Sequence, residues 1–197
     1  MNLLKAASTV SLLTLASRVT GLAREWLVAS QFVASAWTDA FNVAFRIPNL
    51  LRRLFAEGAF SQAFVPILGE VKAREGDAPT HALVNAVATV LVMALLFTCV
   101  LGVAGAPLIV WVMASGLAEL DEAVLMTRMM FPYIGFMALV ALAAGVLNTY
   151  RHFVTPAATP VVLNLCVIAA ALWAGPHMQS FGLHPVYALC AGVMVGG

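Results

Sequence analysis

Three long runs of the sequence contain no charged residue: residues 82–113, 129–147 and 157–174. A helix that crosses about 30 Å of hydrocarbon needs roughly 17–25 mostly apolar residues, since it rises about 1.5 Å per residue. Each run reaches that length. Helices satisfy their own backbone hydrogen bonds in lipid, where an isolated strand cannot. The runs therefore predict membrane-spanning helices and an all-α fold.

The composition agrees with a polytopic membrane protein. Of the 197 residues, 62% are hydrophobic and 10% are charged, whereas soluble domains average roughly 45–50% and about 25%. Ten Lys and Arg against nine Asp and Glu give a net charge of +1, without the basic excess that a nucleic-acid partner requires. The four histidines show no metal-ligand spacing. We expect the lipid bilayer as a partner, and no nucleic acid, metal or cofactor.

Two further apolar stretches, residues 8–33 and 40–68, contain charged residues. With the three uncharged runs they predict five full spans. A sixth span begins near residue 186 and is truncated at residue 197, which is too short to cross. We therefore expect residues 1–197 to be the N-terminal transmembrane lobe of a longer protein.

The basic residues between the spans predict the orientation, because short cytoplasmic loops are rich in Lys and Arg. Lys5, Lys72, Arg74 and Arg151 lie in one set of alternate segments, and Arg128 lies in the other set. This count places the N-terminus in the cytoplasm. The alternative is that the first 17 residues are a cleaved signal peptide, but cleavage would invert the pattern of loop charges.

The first two spans contain an unusual number of charged residues. They carry five arginines and three acids: Arg18, Arg24, Arg46, Arg52, Arg53, Glu25, Asp39 and Glu57. At roughly 2.5–3.5 kcal/mol each, five lipid-facing arginines would cost on the order of 12–17 kcal/mol. The arginines must therefore face a water-filled cavity, an anion or the nearby carboxylates.

Helical spacing aligns many of these side chains. In the second span six polar positions fall within about 80° of one another at 100° per residue: Asp39, Asn42, Arg46, Asn49, Arg53 and Glu57. In the first span Arg18, Gly21 and Glu25 share a face. The spacing predicts polar faces that run deep into the membrane.

One interpretation is that the arginines only balance the acids inside a packed bundle. Five arginines against three acids leave at least two positive charges unpaired, which favours an anionic ligand. Single positions have simpler explanations. Arg53 can pair with Glu57 at i,i+4. Arg46 can extend to the membrane surface, and Asp39 can cap its helix.

For Asn85 and Asn164 we expect interhelical hydrogen bonds rather than substrate contacts.

Three segments are recognisable as family motifs: residues 17–25, residues 38–41, and the long run of residues 46–66 that begins Arg-Ile-Pro-Asn-Leu-Leu-Arg-Arg-Leu-Phe. They resemble the start of the MurJ (MviN) family of lipid II flippases, within the multidrug/oligosaccharidyl-lipid/polysaccharide exporter superfamily. The resemblance implies two six-helix lobes with additional helices. The chain would then be nearly one lobe, with the second lobe absent.

The resemblance also implies a function and site residues. Such proteins flip lipid II, the undecaprenyl-diphosphate-linked disaccharide-pentapeptide, from the inner to the outer leaflet of the bacterial cytoplasmic membrane by alternating access. By position, the arginines that resemble the family's substrate-binding cavity arginines are Arg18, Arg24 and Arg52. The residues that resemble its gating or charged positions are Asp39, Ser17, Asn49, Glu57, Arg53 and Glu25. Family members often have Asp at the position of Glu25.

Several other functions are compatible with parts of the pattern. A drug/cation antiporter of the same superfamily should present acids and aromatics in its cavity, not five arginines, and a polysaccharide-lipid flippase is a further alternative. An intramembrane enzyme needs metal-binding acids or a base, and the sequence contains no HExxH or DDxxD motif. A structural scaffold would not need unpaired charge in the membrane. We therefore expect a transporter, with a possible coupling ion, rather than an enzyme.

Overall fold

The computed structural model describes the backbone of residues 3–32, 35–57, 59–150 and 152–197, and the side chains of residues 7–32, 35–50, 62–150 and 152–197. These residues form helices and connecting turns, without strands. The helices are α1 Leu3–Gln31, α2 Ala36–Glu57, α3 Ala59–Glu75, α4 Asp77–Ala114, α5 Leu120–Met130, α6 Tyr133–Thr149, α7 Val154–Ala169, α8 Gly175–Ser180 and α9 Val186–Gly196. A π-helical turn, Ala170–Ala174, joins α7 to α8. The all-α prediction is confirmed.

Three helical stretches of the described chain are long and apolar enough to cross a membrane: Asp77–Ala114, Leu120–Thr149 and Val154–Ser180. They contain the three uncharged runs of the sequence, whose prediction as spanning helices is confirmed in length and composition. Helices α1 and α2 have 29 and 22 residues, or about 43 Å and 33 Å at 1.5 Å per residue. Both exceed the thickness of the hydrocarbon but carry charged residues.

The second predicted span, residues 40–68, contains most of α2 and the first part of α3. The structure describes α2 up to Glu57 and α3 from Ala59, and the residue between them lies outside the described part of the chain. Within α2, Pro48 is buried and does not end the helix.

The core lies where α2, α5, α7 and α9 meet. Its fully buried side chains include Met126, Tyr133 and Leu189. Helix α4 lies at the outside of this core, with large apolar side chains such as Phe97 and Leu101 exposed along its length. A long apolar helix with this much exposed hydrophobic surface is suited to contact with lipid.

Two glycines bring α9 close to α7. A Cβ atom added at Gly192 would lie 2.7 Å from the Cβ of Ala170 and 3.0 Å from the Cα of Val167, and one added at Gly196 would lie 3.0 Å from the Cα of Leu163. The two glycines are four residues apart on one face of α9. Small residues at this spacing let helix backbones approach in membranes, where dispersion contacts replace the hydrophobic effect.

We expect Gly192→Ala to lower the melting temperature of the detergent-purified protein by several degrees. The added methyl group forces α7 and α9 apart, at a cost of about 1–3 kcal/mol, which exceeds the gain in helix propensity of about 1 kcal/mol. The matched control is Gly69→Ala in α3, where an added Cβ meets no atom within 4 Å. A melting temperature that is equal for the two variants would contradict the close α7–α9 contact.

Candidate anion-binding cavity between α1 and α2

One buried amide on α7 forms hydrogen bonds to helix α1. The side chain of Asn164 is in α7, and Asn164 is 7% exposed. Its Nδ2 donates to the main-chain oxygen of Ser17 at 3.1 Å and to Oγ1 of Thr20 at 3.2 Å. Its Oδ1 accepts from Nη1 of Arg24 at 3.1 Å. We call this set of contacts the Asn164 clasp.

The chemistry of the partners fixes the orientation of the Asn164 amide. A guanidinium group only donates hydrogen bonds and a main-chain oxygen only accepts them. The Asn164 oxygen must therefore face Arg24, and its nitrogen must face Ser17. A Cβ added at Gly21 would lie 3.5 Å from Nδ2 of Asn164, an ordinary van der Waals distance, so this contact does not require a glycine at position 21.

Arg24 also contacts a carboxylate. Its Nη2 lies 3.2 Å from Oε1 of Glu25, and the two side chains are 22% and 72% exposed. An ion pair with so exposed a partner contributes only about 0.2–1 kcal/mol. Of the five N–H groups of an arginine, these two contacts use two, and the other three have no hydrogen-bond partner among the described residues.

A cavity of about 380 Å³ separates α1 from α2 and contains the Arg24 side chain in its lining. We call it the central cavity. Its lining residues are Arg24, Glu25, Val28, Ala29, Thr38, Phe41, Asn42, Phe45, Asn49, Val167 and Val193. From Thr38 to Asn49 it extends about 16 Å along α2 at 1.5 Å per residue. The cavity thus combines one arginine, one glutamate, two asparagines and one threonine hydroxyl with apolar walls.

The structure brings some of the predicted site residues together and leaves others apart. Arg24, Glu25 and Asn49 line the central cavity, and Ser17 joins the site through its main-chain oxygen. Arg18 and Asp39 are exposed and lie outside the cavity lining. Arg18 is six residues from Arg24, or about 240° around the helix, which explains their separation.

The polar residues of α2 do not all lie on the single face that helical spacing predicts. Asn42 and Asn49 line the cavity, whereas Arg46 is exposed and outside its lining. The cavity-facing stripe includes Thr38 and Phe45, so it is rotated from the predicted wedge. The side chains of the remaining three predicted residues lie outside the described part of the structure: Arg52, Arg53 and Glu57.

The expected interhelical hydrogen bond is confirmed for Asn164 by the clasp, whereas for Asn85 it stays a prediction. Asn85 is exposed on α4, and within the described residues its side chain makes no interhelical hydrogen bond. Exposure explains the difference, because its amide does not lie between packed helices.

Comparison with known proteins gives independent evidence of the family to which this chain belongs. Residues 28–197 match the family model described as "Lipid II flippase MurJ". The chain belongs to the MurJ family. The family is one of transporters rather than enzymes, as the sequence predicts.

Relatives of the MurJ family match the whole chain. The lipid II flippase MurJ of Burkholderia cenocepacia is 58% identical over 201 aligned residues, which cover 100% of this chain and 38% of the relative. The probable lipid II flippase MurJ of Buchnera aphidicola subsp. Acyrthosiphon pisum is 37% identical, with coverage of 100% and 39%. The chain thus spans less than half the length of these curated relatives.

A solved MurJ structure has the same fold. The structure titled "Lipid II flippase MurJ, inward closed conformation" superimposes with a TM-score of 0.75 at 28% identity, covering 95% of this chain and 40% of the solved chain. The helical bundle is therefore a MurJ fold. This chain thus matches only part of the solved protein, just as it matches only part of each curated relative.

Sequence reasoning missed part of the central cavity. Thr38 and Phe45 line it but were not among the predicted site residues, and the partners of Asn164 were not predicted. The available signal was that Asn164 is the one amide in the uncharged run of residues 157–174. A lone amide in an apolar helix indicates a buried polar partner on a neighbouring helix.

Proposed function

We propose that this chain forms part of a transporter that flips lipid II from the inner to the outer leaflet of the bacterial cytoplasmic membrane. In this proposal Arg24 binds the diphosphate of the lipid in the central cavity. The undecaprenyl tail stays in the bilayer while the polar head group passes through the protein. Membership of the MurJ family supports the substrate class, and the cavity supports the role of Arg24.

The geometry of Arg24 carries this proposal. Its guanidinium is positioned by Asn164 and lies in the cavity lining, and three of its N–H groups have no partner in the part of the chain that the structure describes. A guanidinium fork binds paired phosphate oxygens through two parallel hydrogen bonds. Glu25, as an exposed partner, can be displaced by a diphosphate, which carries more charge and accepts more hydrogen bonds than one carboxylate.

Arg18 and Arg52 complete the proposed set of substrate-binding residues. Arg18 is exposed on α1, where it can meet the head group on its way to or from the cavity. Arg52 follows Asn49 by three residues in the sequence, and its role is supported by its position in the motif that resembles the family's. Asp39, Ser17 and Asn49 are proposed to act in gating, with Glu25, Arg53 and Glu57 balancing charge.

We infer that transport proceeds by alternating access between inward-facing and outward-facing states. The solved relative is named for an inward closed conformation, which supports a family with more than one conformation. A membrane potential acts on cavity charge at about 2.3 kcal/mol per elementary charge per 100 mV. The potential, or a coupling ion, can therefore bias the two states.

Reconstitution tests the activity. The protein expressed from its native reading frame is placed in vesicles with fluorescent lipid II, and exposure in the outer leaflet is followed by a quencher that does not cross the membrane. We expect flipping well above the rate in protein-free vesicles. Transport of an organic cation instead of the lipid would favour the drug/cation antiporter, and transport of other lipid-linked saccharides alone would favour a polysaccharide-lipid flippase.

For the orientation, we propose a cytoplasmic N-terminus. In a background with Cys99, Cys166 and Cys190 replaced, a cysteine at Ala118 should react with a membrane-impermeant maleimide on intact cells. A cysteine at Glu75 should react only after permeabilisation. Both positions are exposed and lie at opposite ends of α4. Labelling of Glu75→Cys from outside intact cells would contradict the proposed orientation.

A further inference from the structure

A second cavity of about 930 Å³ lies next to the central cavity, at the end of the bundle where α1 ends and α2 begins. We call it the outer chamber. Its walls come from the end of α1, the start of α2, helix α8 and residues 182–185. Its volume is near the upper end of the roughly 300–1,000 Å³ that is typical of small-molecule sites.

The outer chamber differs from the central cavity in its charge. Apart from one histidine, its described lining contains no ionisable side chain. The polar groups are the amides of Gln31 and Gln179 and the hydroxyls of Ser35 and Thr38. Such groups select for a ligand that forms hydrogen bonds but carries no charge, since an ion there would lack a countercharge.

Two of these polar groups, the glutamine amides, are available to a ligand. The side-chain amides of Gln31 and Gln179 make no hydrogen bond within the described residues, and both are exposed to the chamber. The hydroxyls of Ser35 and Thr38 are already engaged, since they hydrogen-bond to each other at 3.1 Å and Thr38 donates to the main-chain oxygen of Phe32 at 3.3 Å. An amide can both donate to and accept from a ligand, which matches the hydroxyl and acetamido groups of a sugar.

Aromatic surface completes the chamber. The rings of Trp37 and His184 stack with centroids 4.3 Å apart and planes 6° from parallel. Both residues line the chamber. The stack joins the start of α2 to the segment before α9. It therefore holds two aromatic rings in place beside the polar groups of the chamber.

The two cavities adjoin at Thr38, which lines both. A lipid-linked sugar has its first ring bonded directly to the diphosphate, so a site for one must adjoin a site for the other. We propose that the outer chamber binds the uncharged acetamido sugars of the cargo while Arg24 holds the diphosphate. This inference rests on the proposed function.

The test uses N,N′-diacetylchitobiose as a soluble probe of an acetamido sugar. The detergent-purified protein, expressed from its native reading frame, is labelled with 5-fluorotryptophan, and the ¹⁹F resonance of Trp37 is assigned by its loss in Trp37→Phe. We expect the probe to shift this resonance. Cellobiose, which has hydroxyls in place of the acetamido groups, should bind about tenfold more weakly, as expected when one or two hydrogen bonds are lost.

Matched variants locate the binding site. Gln31→Ala combined with Gln179→Ala should weaken chitobiose binding about tenfold, whereas Gln62→Ala, an exposed glutamine of α3, should leave it unchanged. Arg24→Ala should retain chitobiose binding because the sugar is uncharged, but should lose binding of inorganic pyrophosphate.

The possible outcomes separate the two proposals. If chitobiose leaves the Trp37 resonance unshifted while pyrophosphate still binds, the sugar site is wrong and the proposed anion site stands. If pyrophosphate binding does not depend on Arg24, the proposed function loses its main support. A peptide ending in D-Ala-D-Ala that shifts Trp37 in place of chitobiose would overturn the assignment to sugars.

Discussion

Arg24→Ala is expected to abolish growth of a strain that depends on this protein as its lipid II flippase. The variant loses the guanidinium fork that the structure positions in the central cavity. Two charge-assisted hydrogen bonds contribute roughly 3–6 kcal/mol together, which corresponds to a loss of about 10²- to 10⁴-fold in diphosphate affinity. Arg24→Lys should restore only part of the function, because lysine keeps the charge without the planar fork.

The measurement combines growth rescue, membrane protein level and affinity for inorganic pyrophosphate. Arg74→Ala is the matched control, since Arg74 is 76% exposed and pairs with Glu70 at the surface. We expect this control to support normal growth. Full rescue by Arg24→Ala at a normal protein level would show that the cavity arginine does not bind the substrate.

Asn164→Asp should lower pyrophosphate affinity nearly as much as Arg24→Ala does, although it only replaces the amide NH₂ of Asn164 by an oxygen. The new carboxylate oxygen would lie about where Nδ2 now lies, 3.1 Å from the main-chain oxygen of Ser17, and would repel it. The carboxylate would also neutralise Arg24 and compete with a diphosphate for its donors. We expect affinity for pyrophosphate to fall on the order of 100-fold, as for loss of a charge-assisted contact.

Two comparisons separate this electrostatic effect from simple loss of packing. Asn85→Asp introduces the same charge at an exposed position of α4 and should leave affinity unchanged. Asn164→Leu removes the clasp without adding a charge, so it should lower the melting temperature but reduce pyrophosphate affinity less than Asn164→Asp. Equal affinity for Asn164→Asp and the unmodified protein would contradict the role of Asn164 in positioning Arg24.

The spanning helices could be predicted because membrane insertion depends on local composition. An uncharged run such as residues 82–113 must either enter lipid or be covered, and only a helix satisfies its backbone there.

The charged residues were harder to place than the helices. The sequence indicates that Arg18 and Arg24 need polar surroundings, but the neighbours of α1 decide which of its faces meets α7. Arg24 and Asn164 are separated by 140 positions in the chain, and no periodicity within one helix connects them. The excess of arginines predicted an anion site, yet of Arg18, Arg24 and Arg46 only Arg24 lies in the cavity lining.

The contact between Asn164 and Ser17 involves the main chain of Ser17 rather than its hydroxyl. Every amino acid has that carbonyl oxygen, so the clasp places no demand on which side chain stands at position 17. In contrast, the oxygen of Asn164 is matched to the guanidinium of Arg24. Among relatives of this chain, positions 24 and 164 should therefore vary together, while any restriction at position 17 reports on the hydroxyl of Ser17 and not on the joining of α1 to α7.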